Sequence, residues 1–141
     1  MVKFSTQGLL TCLNPEARSN RLYWLTELGA KCKKQLHQDL EIPYKEFDLP
    51  DVDWQLYGWV CFNHRSAVIR TLSTPMQPSE IKRFLRIHHP GTKISANNIR
   101  DIIRLLFARK IVRQVKVKGK AHARYELTDL GNQLRQLLLQ A

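Results

Sequence analysis

The pattern of hydrophobic and polar positions is clearest between residues 95 and 127. Four aliphatic residues recur there at helical spacing and predict one buried helix face: Ile99, Ile102, Ile103 and Leu106. Ser95 precedes them and is a favourable N-cap, because its hydroxyl can accept a hydrogen bond from a backbone N–H of the first turn. After Lys110 the hydrophobic period falls from about 3.6 to about 2, which predicts a hairpin that turns at Gly119.

Two helices are predicted ahead of this one. Asn63 is expected to cap the first, which ends before Pro75. The second is expected to begin at Pro78, because the N–H that proline lacks has no partner in the first turn of a helix. The side chains expected to face inward on it are Ile81, Phe84 and Leu85. Residues 54–62 fit either a strand or the first turns of a helix.

A further helix is predicted over residues 129–140, with Thr128 as its cap. The predicted order is helix, helix, helix, hairpin, helix. That is the order of a winged helix-turn-helix, a mainly α fold with a small β-hairpin (α+β). A short strand near residues 93–94 is expected to add a third strand to the hairpin. Residues 54–141 are therefore predicted to form one winged-helix domain.

An internal repeat precedes that domain. Residues 23–29 match residues 125–131 at a constant offset of 102. In this register, residues 1–36 are predicted to be the tail of a second winged helix, with a hairpin and a closing helix that Thr26 caps. Such a half-domain exposes apolar side chains, which predicts packing on the rest of the chain or pairing across a homodimer.

The sequence LNPEAR at residues 13–18, followed by RLY at 21–23 and LT at 25–26, resembles the wing of many archaeal and bacterial winged-helix regulators. Residues 54–141 resemble the DNA-binding domain of MarR-like or archaeal-type regulators. These motifs are typical of the fold and not of one regulon. The resemblance implies a sequence-specific transcriptional regulator that binds double-stranded DNA as a homodimer, with one recognition helix per half-site.

The basic residues lie in one part of the chain. Residues 54–141 hold 16 Lys and Arg against 4 Asp and Glu, whereas residues 1–53 hold 7 against 8. This asymmetry indicates a polyanionic partner. Residues 37–53, with six acids and one Lys, are predicted to be an acidic linker. Two interpretations of the linker stay open: a solvated connector, or a strap that competes with nucleic acid for the basic domain.

The candidate DNA-contacting side chains lie on three predicted elements. Amides and guanidinium groups early in the third helix suit the edges of adenine and guanine in the major groove. Cations on the hairpin suit phosphates or the minor groove, and cations on the preceding helix suit the backbone. The candidates on the third helix are Asn97, Asn98, Arg100 and Arg104, with Asp101 expected to pair with Arg104. Those on the hairpin are Arg113, Lys116, Lys118, Lys120, His122 and Arg124, and those on the preceding helix are Lys82 and Arg83, beside Arg86.

No enzymatic motif is recognisable. The sequence has no P-loop, no GxGxxG and no local nucleophile motif, so no enzyme activity and no cofactor are expected. Cys12, Cys32 and Cys61 lack the spacing of a disulfide framework or zinc site and are expected to be buried free thiols. No hydrophobic run approaches the roughly 20 residues of a membrane span. A cytoplasmic, nucleoid-associated protein is expected, and the sequence identifies no small-molecule effector.

The alternative function is a protein-interaction or RNA-binding module in a replication, plasmid-maintenance or RNA-processing assembly. A protein-interaction surface is expected to expose apolar groups, whereas the third helix presents Asn and Arg. RNA recognition more often uses aromatic stacking platforms, and this helix is predicted to have none outside its buried stripe. Duplex DNA is therefore the favoured partner.

Overall fold

The computed structural model describes residues 7–44, 49–62, 64–116, 119 and 122–140. The chain divides into two compact units between Trp59 and Val60. In the first unit, β1 (Leu10–Cys12) pairs antiparallel with β2 (Tyr23–Leu25). Helix α1 (Glu27–Asp39) follows directly, and α2 (Trp54–Val60) extends to the boundary. The stretch that fitted either a strand or a helix is therefore helical.

The second unit contains four helices and a hairpin. Its elements are α3 (Arg65–Thr71), α4 (Pro78–His88), α5 (Ala96–Ala108), β3 (Val112–Val115), β4 (Arg124–Leu127) and α6 (Asp129–Gln140). β3 pairs antiparallel with β4, and Val112 lies opposite Leu127. Three helices, a hairpin and a closing helix make this unit a winged helix of the α+β class, as the hydrophobic pattern predicts.

Aliphatic side chains from every helix of the second unit form its core. The buried residues include Val68, Ile69, Leu72, Ile81, Leu85, Ile99, Ile102, Ile103, Leu106, Ile111, Leu134 and Leu138. All four members of the predicted α5 stripe are among them. The inward prediction for Phe84 is wrong, because its side chain is 37% exposed and packs on the His88 ring with centroids 4.3 Å apart. It lies one residue before Leu85, about 100° around the helix and off the narrow apolar face of α4.

The predicted third strand near residues 93–94 is also wrong. Residues 92–95 form no regular element. Instead Met76, between α3 and α4, forms an isolated bridge with Tyr125 of β4. The Met76 N–H donates to the Tyr125 carbonyl at 3.0 Å, and the Tyr125 N–H donates back at 2.9 Å. The bridge involves one residue pair, and α4 begins two residues later at Pro78. The segment is therefore too short to show the alternation of hydrophobic and polar residues that predicts a strand.

The predicted cap of α3 and the predicted burial of the cysteines are two local features of the sequence. Asn63, the expected cap of α3, lies outside the described residues, and His64 occupies the N-cap position without a side-chain cap bond. The three cysteines are free thiols, but they are not buried: Cys12 and Cys61 are partly exposed and Cys32 is exposed. Cys32 lies on the same face of α1 as Leu36, which is exposed as well.

Thr128 joins the hairpin of the second unit to its closing helix. Its N–H donates to the Ile111 carbonyl at 3.0 Å, and its hydroxyl donates to the Lys110 carbonyl at 2.7 Å. The same hydroxyl caps α6 by accepting from the Gly131 N–H at 3.2 Å. Lys110 has a left-handed backbone, with φ of 61°. A Cβ atom at position 131 would overlap the Ile111 carbonyl oxygen, so only glycine fits this approach of α6.

The first unit repeats these contacts 102 positions earlier. The Thr26 N–H donates to the Leu9 carbonyl at 3.0 Å, and its hydroxyl donates to the Gly8 carbonyl at 2.5 Å. That hydroxyl accepts from the Gly29 N–H at 3.1 Å, and a Cβ atom on Gly29 would overlap the Leu9 carbonyl oxygen. Gly8 has φ of 76°, which matches the left-handed residue at position 110.

The two closing helices differ in what covers them. In α6, Leu134 and Leu138 are buried and the helix packs against α3. The equivalent positions of α1 are Cys32, which is exposed, and Leu36, which is 58% exposed. Among the residues described in the first unit, no helix precedes the hairpin as α3 does. The described residues of this unit therefore show a hairpin and the helix that follows it, with no equivalent of α3 to cover Leu36.

Substituting Gly131→Ala is expected to lower the free energy of unfolding by about 1–3 kcal/mol, as overpacking does. Alanine is intrinsically the better helix former by up to about 1 kcal/mol. The clash outweighs that gain, because the Ile111 carbonyl is held by its bond from Thr128 and cannot move aside. Urea denaturation followed by circular dichroism measures the loss. Gly91→Ala is the matched control, since nothing lies within 4 Å of its Cβ position; equal stabilities would contradict the prediction.

Candidate nucleic-acid interface

The start of α5 presents a row of polar side chains to solvent. Ser95 caps the helix as predicted, accepting from the Asn98 N–H at 3.1 Å. Because the aliphatic stripe of α5 is buried in the core, the remaining face points outward. The candidates that the sequence placed on this helix are all exposed: Asn97, Asn98, Arg100 and Arg104. The expected pair forms between Arg104 and Asp101, with 3.4 Å between nitrogen and oxygen.

A basic groove lies between α4 and α5. Its volume is about 300 Å³, and four cationic side chains line it: Lys82, Arg83 and Arg86 from α4, and Arg100 from α5. None of these four forms an ion pair with a carboxylate in the described part of the chain. The structure therefore brings the predicted backbone-contacting residues of α4 next to a predicted base-contacting residue of α5.

A second cleft lies between α5 and the hairpin, and we call it the aromatic cleft. Its volume is about 440 Å³. Side chains that line it include Arg100 and Arg104, Phe107, Gln114, His122 and Tyr125. The first turn of α4, with Pro78 and Ser79, borders both this cleft and the basic groove. Arg100 lines both as well, so the two depressions adjoin.

The hairpin arginines are engaged within the unit. The Arg113 Nε donates to a Glu126 carboxylate oxygen on the facing strand at 2.7 Å. A guanidinium nitrogen of Arg124 lies 3.0 Å from a Glu80 oxygen and 3.5 Å from the Pro75 carbonyl oxygen, which ties β4 to the region of α4. These contacts reduce the charge that Arg113 and Arg124 offer to a polyanion. Their assignment to DNA stays a prediction.

The tip of the hairpin is described only in part. Lys116 is exposed just after β3, and His122 is exposed before β4. Lys118 and Lys120, which the sequence also assigns to DNA, lie outside the described residues.

Phe107 is the residue that the sequence analysis missed. Its side chain is 52% exposed and lines the aromatic cleft, as does Tyr125 of β4. The prediction that α5 has no aromatic platform outside its buried stripe is therefore wrong. The sequence spacing could have indicated this exposed ring, because Arg100, Arg104 and Phe107 lie at positions i, i+4 and i+7 and therefore share one helix face.

Other features add little chemistry to this site. Burial lowers the pKa of Arg65, whose guanidinium lies 5.4 Å from the centroid of the Phe62 ring, and the charge of Arg109 lowers it further. An arginine titrates so far above neutral pH that it keeps its charge. The described residues contain no group of three or more His, Cys, Asp or Glu that could hold a metal ion. None of their helices is both long and apolar enough to cross a membrane.

Substituting Ser95→Ala is expected to lower the free energy of unfolding by about 1 kcal/mol, because α5 then loses the acceptor for the Asn98 N–H. Urea denaturation measures the loss. Ser95→Asp is the matched control, since a carboxylate caps a helix as well as a hydroxyl does. A Ser95→Asp protein as unstable as Ser95→Ala would show that the cap bond does not position this helix.

Comparisons with known proteins leave the family open. No protein-family model and no curated protein matches the chain. A solved structure titled "Structure of GAS PerR-Zn-Zn" is similar at 14% identity and a TM-score of 0.37. The match covers 68% of this chain and 51% of that one, so this chain spans about half of its length.

Proposed function

We propose that the winged helix predicted over residues 54–141 binds double-stranded DNA, with α5 in the major groove and the hairpin on the backbone or in the minor groove, and that the protein is a transcriptional regulator. One observation carries the proposal: the exposed amides at the start of α5 lie beside the basic groove. In a helix-turn-helix, early residues of the second helix contact base edges while neighbouring cations hold phosphates. Asn97, Asn98 and Arg100 suit the first role, and Lys82, Arg83 and Arg86 suit the second.

The internal ion pairs determine which cations are available to bind phosphate. Arg104, Arg113 and Arg124 each have a carboxylate partner within 3.4 Å. Surface pairs of this kind are worth at most about 1 kcal/mol, so a phosphate can displace them, but at a cost. The groove cations have no such competitor among the described residues. We therefore assign most of the phosphate affinity to the groove, with Lys116 and the hairpin tip adding to it.

We also propose that residues 1–36 are a partial second winged helix. The acidic linker, residues 37–53, joins it to the DNA-binding domain. Support comes from the matched contacts of Thr26 and Gly29 with those of Thr128 and Gly131. A homodimer with one α5 per half-site is proposed with it, as is a cytoplasmic, nucleoid-associated location. The protein is proposed to act by binding and not as an enzyme.

The alternative function, an RNA-binding or protein-interaction module, gains one supporting observation. Phe107 is exposed next to Arg104 on α5, and aromatic side chains beside cations favour unpaired nucleotides. The polar start of α5 still favours a duplex over a protein partner.

Binding to mixed-sequence duplex DNA is expected to weaken with salt, with a log–log slope of roughly −4 to −5 for four to six phosphate contacts. Fluorescence anisotropy across a salt series measures it. Replacing Lys82, Arg83 and Arg86 with Ala is expected to make the slope shallower by about 2–3, because each lost phosphate contact removes about 0.9. Replacing Lys116, Lys118 and Lys120 with Ala is expected to make it shallower as well.

The matched control for these triple variants removes the same charge from the first unit, by replacing Lys31, Lys33 and Lys34 with Ala. Its slope is expected to stay within about one of the wild-type value, because these lysines lie outside the proposed interface. A flat salt response of the wild-type protein, or equal losses in all three variants, would contradict DNA binding by the basic groove.

Selection from a random duplex library is expected to enrich one sequence, and Asn98→Ala is expected to weaken binding to it by about 1–3 kcal/mol while leaving mixed-sequence DNA unchanged. The reason is that a base contact contributes only to the correct sequence, whereas phosphate contacts contribute to all. Two symmetric half-sites in the enriched sequence would support the homodimer. A library that stays unenriched would contradict sequence-specific regulation and leave non-specific duplex binding.

A further inference from the structure

The aromatic cleft and the basic groove form a continuous surface of two different chemistries. Arg100, Pro78 and Ser79 line both depressions. On one side of Arg100 the lining is cationic, with Lys82, Arg83 and Arg86 of α4. On the other side it includes the ring of Phe107 and that of Tyr125. A track of cations that leads to aromatic side chains is the arrangement with which proteins hold unpaired nucleotides.

The cleft has the dimensions and the polar groups for a single nucleotide. Its volume of about 440 Å³ falls in the range of about 300–1,000 Å³ that small-ligand sites occupy. Besides the two rings, amide groups of Gln77 and Gln114 line it, and amides can bond the edge of a base. Base pairs inside a duplex are stacked on their neighbours and cannot enter such a depression.

Phe107 lies off the buried stripe of α5, and the proposed duplex contacts do not use it. Its side chain is 52% exposed, although Leu106 beside it is fully buried in the core. It lies in the last turn of α5, which ends at Ala108, whereas a recognition helix contacts base edges with its first turns. The Phe107 ring therefore belongs neither to the core nor to the proposed major-groove contacts, and it is available to a ligand of the aromatic cleft.

We propose that the aromatic cleft binds one unpaired nucleotide that adjoins a duplex, with its base stacked on Phe107 beside Tyr125 and its phosphate at Arg100. This inference rests on the proposed function, because the basic groove and the start of α5 hold the duplex from which the nucleotide extends. The preferred substrate is then a duplex with an overhanging, bulged or otherwise extruded base. The chemistry of stacking is shared by DNA and RNA, so the experiment includes both.

The test compares the affinity of the full chain for four fluorescently labelled duplexes of one sequence, measured by anisotropy at one salt concentration. One duplex is blunt, one has a short DNA overhang, one has an RNA overhang of the same sequence, and one has an abasic overhang with the same phosphates. A base on an aromatic platform is expected to tighten binding by about tenfold over both the blunt and the abasic duplex. The DNA and RNA arms identify which of the two the cleft takes.

Phe107→Ala is expected to abolish that tenfold gain and to leave the affinity for the blunt duplex unchanged. Phe107→Trp is expected to keep the gain, because it retains a stacking surface. Leu105→Ala is the matched control: Leu105 is an exposed apolar residue of the same helix that does not line the cleft. Its overhang gain is expected to stay at about tenfold.

The outcomes separate this inference from the proposed function. If the protein binds all four duplexes equally, or the abasic overhang as well as the complete one, the cleft does not take a base, while duplex binding stands. If Phe107→Ala weakens binding to every duplex by the same factor, its role is structural and the inference is overturned. If the blunt duplex does not bind but the overhanging one does through Phe107, duplex recognition fails and the nucleotide site stands.

Discussion

The fold of the second unit depends on a close approach of its closing helix, α6, to the junction of α5 and β3. The chain reverses there at Lys110, whose left-handed backbone turns it out of the helix and into the hairpin. Thr128 fastens the reversal by bonding the carbonyls of Lys110 and Ile111. The missing side chain of Gly131 lets α6 come close enough for its first turn to be capped by the same threonine. Because the hairpin is held at this point and at the Met76 bridge, its position against α5 is determined. The cleft between the two elements follows from that constraint.

The same junction in the first unit shows which part of the fold it specifies. Thr26 and Gly29 repeat the contacts of Thr128 and Gly131, and the two hairpins have the same strand register. Among the described residues, however, no helix equivalent to α3 precedes the first hairpin. A Thr-x-x-Gly cap whose threonine also bonds the carbonyls just before the hairpin is a local motif. It requires only the hairpin and the first turn of the following helix. The aliphatic contacts that bury Leu134 and Leu138 against α3 are non-local, and α1 leaves Leu36 exposed without them. The junction of hairpin and following helix therefore forms without an equivalent of α3 among the described residues.

The features that the sequence predicted correctly are those determined by neighbours along the chain. The Ser95 and Thr128 caps, the helix start at Pro78 and the buried stripe of α5 each follow from a few adjacent residues. The error at Phe84 is local, because the apolar face of α4 is narrow, but the other errors concern contacts between distant segments. Pairing of Met76 with Tyr125 joins residues 49 positions apart and involves one residue on each side, so no local periodicity predicts it. Phe107 lies off the buried stripe, but the cleft that it lines with Tyr125 depends on where the hairpin packs. The pairing of Arg124 with Glu80 depends on the same tertiary contact, so neither could be derived from composition.

Those ion pairs change the meaning of the net charge. Counting residues, the hairpin looks like the most cationic element of the domain, with basic side chains or His at half of the positions from 113 to 124. In the structure, Glu126 pairs with Arg113 across the two strands of the hairpin, and Glu80 of α4 pairs with Arg124 and so ties the hairpin to α4. The groove between α4 and α5 has fewer cations, but no described carboxylate competes for them. Coulomb attraction to a phosphate acts on the charge that remains after internal pairing, and a screened pair is nearly neutral beyond a Debye length of about 8–10 Å. Among the described residues, the groove cations therefore remain available to a phosphate, and Arg100 lies where the groove meets the aromatic cleft.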